Sequence, residues 1–86
     1  MLSTARGDAA ASELQSWANR VARGVDPAVT VQAEFDPDSN TFIVRLGKGA
    51  RVLIFRFSES QIRTDGREAE CERTLKRKIK DLSSLI

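Results

Sequence analysis

Apolar positions recur along this chain with two different periods. Leu14, Trp17, Ala18, Val21 and Ala22 stand at i, i+3, i+4, i+7 and i+8, which is one apolar stripe of a helix. Ala9–Ala11 add helix propensity, and Asp8 is a good N-cap. Gly24 offers a left-handed residue for the end of the helix, and Pro27 marks the stop. The pattern predicts a helix over about residues 9–23.

From Val29 the period becomes two. Val29, Val31, Ala33 and Phe35 alternate with Thr30, Gln32 and Glu34, as in a half-buried strand. Asp36-Pro37-Asp38-Ser39-Asn40 is turn chemistry. Phe42, Val44 and Leu46 then alternate with Thr41, Ile43 and Arg45, and Gly47-Lys48-Gly49 turns again. A third strand runs from Arg51 to Phe57, with Leu53, Phe55 and Phe57 on one face. Short loops between consecutive strands imply an antiparallel meander.

Two capping boxes follow. Ser58-x-x-Gln61 opens a single helical turn, and Asp65-x-x-Glu68 opens a helix to about Leu82. Cys71, Leu75, Ile79, Leu82 and Ile86 form its apolar seam. The expected architecture is α+β in two layers, α-β-β-β-α: a three-stranded antiparallel meander with two helices on one face. Residues 1–7 are expected as a flexible tail and 8–86 as a single domain.

This element order and length resemble the double-stranded RNA-binding domain. In that family lysines at the start of the second helix contact phosphates. The corresponding stretch here, Arg67-Glu68-Ala69-Glu70-Cys71-Glu72, carries three glutamates that repel a phosphate backbone. The resemblance therefore implies topology and not function, and no family is assigned.

Composition removes several chemistries. The 86 residues contain no histidine, so His-based acid–base catalysis, Ser-His or Cys-His nucleophiles and most transition-metal sites fall away. No enzyme activity, cofactor or metal is expected. Cys71 is the lone cysteine, which fits a reducing, cytoplasmic setting. No signal peptide, lipidation signal or apolar run of about 20 residues is visible, so no membrane is expected. The net charge of +2 is too small to name a partner.

The remaining candidates divide by chemistry. Asp36-x-Asp38-x-Asn40 has the opening spacing of a calcium loop, but Thr41 and Gly47 stand where Gly and Glu are needed, so a hairpin turn is expected. Gly47-Lys48-Gly49 lacks the spacing of a P-loop. Trp17 and Cys71 lie in apolar seams and are expected in the core, with neighbouring glutamates disfavouring a Cys71 thiolate.

Two surfaces are left. By strand parity the outer sheet face carries Ile43, Val52 and Ile54 among Glu34, Arg45 and Arg56, whose charges are placed to pair across strands. An apolar patch rimmed by charge marks a protein contact. On the last helix, Arg73, Lys76, Arg77 and Lys80 form one basic face suited to phosphate. Glu72–Lys76 and Glu70–Arg73 are also spaced as helix ion pairs, with acidic residues early and basic residues late to suit the dipole. The leading expectation is a non-enzymatic protein-interaction module acting on another protein or a second copy of itself through Ile43, Arg45, Val52, Ile54 and Arg56. The alternative is nucleic-acid binding through Arg73, Lys76, Arg77 and Lys80.

Overall fold

A computed structural model describes residues 6–63 and 67–84. Helix α1 (Gly7–Val25) leads into strands β1 (Thr30–Asp36), β2 (Thr41–Lys48) and β3 (Arg51–Ser58). The short helix α2 (Glu59–Arg63) and the long helix α3 (Glu68–Ser84) complete the chain. The sheet is an antiparallel meander in the order β1-β2-β3, so the fold is α+β with β2 central and both other strands at edges.

The predicted parity holds across the sheet. Ala33, Val44 and Phe55 lie in one row, as do Phe35, Phe42 and Phe57. Val31, Phe42, Val44, Leu46 and Phe57 are buried there against Leu14, Trp17 and Ala18 of α1, Ile62 of α2, and Leu75, Ile79 and Leu82 of α3. Each such large side chain contributes roughly 1.5–3 kcal/mol by leaving water. The helices lie over one face only, which leaves the row Glu34–Ile43–Arg56 and the row Gln32–Arg45–Ile54 on the other.

Local chemistry explains most boundaries. The Ser58 capping box forms in full: the Ser58 N–H donates to Gln61 Oε1 at 2.7 Å, and the Gln61 N–H donates to Ser58 Oγ at 3.2 Å. Asn40 takes a left-handed φ of 55° to close the β1–β2 loop.

Several boundaries differ from expectation. The N-cap is Arg6 rather than Asp8, and Asp8 sits in the first turn. Gly24 stays helical and α1 continues to Val25, with Asp26 as the C-cap, its N–H donating to the Ala22 carbonyl at 2.8 Å. The second hairpin turns at Gly49–Ala50, because Gly47 and Lys48 extend β2 into a pair with Arg51. Gly49 has φ of 61°, which glycine adopts at little cost in a two-residue turn. Positively charged residues occupy the middle of α3 and not its last turn. The expected tail falls mostly on residues 1–5, and the expected Asp65 cap and Ile86 seam position also lie outside the described residues.

Candidate functional site

The outer sheet face is built as predicted but wired differently. Val52 and Ile54 on β3 are 57% and 55% exposed, the only large apolar side chains among the described residues so open to water. Ile43 on the central strand is half-buried between Glu34 and Arg56. Arg45 is exposed and faces Gln32 and Ile54. The expected pairing of Glu34 with the two arginines does not form, since Ile43 separates Glu34 from Arg56. Arg56 instead donates to Asp36 Oδ2 and Thr41 Oγ1, both at 2.9 Å, and is held against the β1–β2 turn.

The two edges of the sheet are finished in different ways. Two of the outward groups of β1 are bonded by side chains of α1. The Ala33 N–H donates to Gln15 Oε1 at 2.9 Å, and Asn19 Nδ2 reaches the Val31 carbonyl at 3.4 Å. The outer face of β1 is polar throughout, with Thr30, Gln32, Glu34 and Asp36. On β3 the two-residue turn makes Lys48–Arg51 the closing hydrogen-bonded pair, so Leu53, Phe55 and Phe57 also bond to β2. The N–H and C=O groups of Val52, Ile54 and Arg56 point outward. Among the described residues none of these groups has a bonding partner.

β3 is also apolar on both faces. Leu53 and Phe55 are only partly buried on the inner side, where the Lys78 ammonium stands 6.0 Å from the centre of the Phe55 ring. Water-facing edge strands ordinarily carry charges or bulges, and apolar runs belong to strands covered on both sides.

The predicted basic face of α3 is exposed at Arg73, Arg77 and Lys80. Lys76 is committed to Glu72 at 3.3 Å, whereas Glu70 and Arg73 form no ion pair. Lys76 and Lys80 also wall an open groove of about 810 Å³ between α1 and α3, floored by Trp17, Val21 and Val25 and joined by Arg20 from α1. Glu68 and Glu72 line the same groove, so its charge is mixed.

The other candidates resolve into structural roles. The Asp36 carboxylate accepts from the Asp38 N–H, Ser39 Oγ and Arg56, which is the hydrogen bonding of a turn. Its proton affinity is lowered by Ser39 first and Arg56 second. Trp17 and Cys71 are core residues. Cys71 Sγ approaches the Gln61 carbonyl at 3.3 Å, and burial, then Glu70, push its thiol pKa up. Among the described residues no helix is long and apolar enough to cross a membrane.

Gln15, Asn19 and Arg20 gain their roles only from tertiary placement. The i, i+4 spacing of Gln15 and Asn19 beside the apolar stripe is the single signal they leave in the sequence. Comparison with protein-family models, curated proteins and solved structures finds no match for this chain.

Proposed function

We propose that this chain is a non-enzymatic protein-interaction module whose contact surface is the outer side of β3, with Val52 and Ile54 at its centre and Ile43, Arg45 and Arg56 around them. The observation that carries this reading is the contrast between edges: β1 has a polar outer face and two backbone groups held by Gln15 and Asn19, while β3 presents exposed apolar side chains and unpaired backbone groups together. Apolar area supplies affinity and the flanking arginines supply specificity. The buried lone thiol fits action in the cytoplasm.

A photoreactive benzophenone side chain placed at position 54 tests the reading in living cells. An adduct with a protein is expected on irradiation, and the same probe at Gln32, on the outer face of β1, is expected to give none. No adduct at position 54, or equal yield at both positions, overturns it.

Nucleic-acid binding by Arg73, Lys76, Arg77 and Lys80 is the second reading. It is favoured by Arg20, which joins Lys76 and Lys80 across the groove. Its test is the affinity for labelled duplex RNA and DNA as salt rises. Phosphate contacts require a steep fall that Arg73→Ala and Arg77→Ala lessen. Absence of binding at low salt removes this reading.

A further inference from the structure

We infer that the occupant of the β3 edge is the β3 strand of a second copy, paired antiparallel about a two-fold axis to give one continuous six-stranded sheet. The inference rests on the proposed contact surface and names its partner.

The outward groups fix the register. Val52, Ile54 and Arg56 hold the free N–H and C=O groups, so these residues must form the new hydrogen-bonded pairs. Centring the axis on Ile54 places Ile54 opposite Ile54 of the second copy and Val52 opposite Arg56. Leu53 then faces Phe55 on the inner side. This register uses all three outward residues of each strand. Every half-covered apolar side chain of β3 gains an apolar neighbour or the stem of Arg56.

Charge is compatible with self-pairing. No like charges stand opposite each other in this register, and Arg56 keeps its own Asp36 as counter-ion. The net charge of +2 gives little repulsion between copies. β1 is the poorer partner strand: Gln15 and Asn19 already hold its Ala33 N–H and Val31 C=O, and its outer face is polar. A two-fold arrangement also closes on itself, which limits assembly to a dimer.

Sedimentation equilibrium of the full chain, with cysteine cross-linking, tests the pairing. A monomer–dimer equilibrium is expected. Val52→Lys and Ile54→Asp, both at exposed positions, are expected to raise the dimer Kd by about tenfold or more with far-UV circular dichroism unchanged. Opposite residues of a hydrogen-bonded pair lie about 5.5 Å apart between Cα atoms, within disulfide reach, so Ile54→Cys cross-links rapidly under mild oxidation. Two Val52→Cys positions lie about 14 Å apart in this register and cross-link slowly. A monomer at every concentration, a dimer indifferent to both charged variants, or equal cross-linking at 52 and 54 overturns the inference. The benzophenone probe separates the two levels of failure. An adduct with a different protein from a chain that stays monomeric ends self-pairing and keeps the contact surface, whereas no adduct ends both.

Discussion

Three elements meet at Asp26. Its backbone N–H caps α1, and its carboxylate accepts from Lys48 Nζ of β2 at 2.6 Å and from Ser83 Oγ of α3 at 2.7 Å. These donors, Lys48 first and Ser83 second, lower its pKa from 3.8 to about 2. A carboxylate whose folded pKa is depressed adds stability above its unfolded value and loses it as pH falls through the folded one. Asp26→Asn is therefore expected to destabilise the chain at neutral pH, with the gap to wild type closing between about pH 4 and pH 2. Denaturant titrations across that range check it, and a gap independent of pH contradicts it. The Cys71 thiol behaves in the opposite sense, because burial and Glu70 disfavour its thiolate. Alkylation of Cys71 at neutral pH is expected to be slow in the native chain and to accelerate together with unfolding in urea. Rapid labelling without denaturant would place the thiol outside the core.

Element by element, the strengths of the interactions can be ranked. Gly24 lies within α1, and a methyl group there meets nothing within 4 Å. Gly24→Ala is expected to stabilise by about 0.5–1 kcal/mol, raising the melting temperature. The Gln15 amide holds the outward Ala33 N–H of β1. Gln15→Ala is expected to cost about 1 kcal/mol in chemical denaturation and to leave that N–H to water. The strands and long helices were legible in the chain because period two and period 3.6 are written directly in residues such as Phe42, Val44 and Leu46, or Leu75 and Ile79. Helix ends were less legible. Gly24 reads as a stop, but Val25 is partly buried against the core and Asp26 ties to Lys48 and Ser83, so tertiary contacts carry the helix past the glycine. Of the candidate site, Val52 and Ile54 were visible through parity alone. The bonds from Gln15 and Asn19 to β1 were not, since they depend on how α1 folds back along the edge of the strand that follows it.

For the molecule as a whole, the helices cover one face of the sheet, and α1 holds part of the β1 edge. The remaining face and the β3 edge form one continuous surface, and Val52, Ile54 and Arg56 belong to both parts of it. This geometry makes a strand that is complete in its bonds to β2 and incomplete toward any neighbour. The most direct measurement is residue-resolved amide hydrogen exchange of the folded chain, dilute and concentrated. In the dilute chain the amides of Leu53, Phe55 and Phe57 are expected to be protected by β2, while those of Val52, Ile54 and Arg56 exchange quickly. In the concentrated chain all six are expected to be protected, as a strand paired on both edges requires. Fast exchange at Val52, Ile54 and Arg56 that does not change with concentration would contradict pairing through β3, and protection of these amides in the dilute monomer would show that the edge is not open at all.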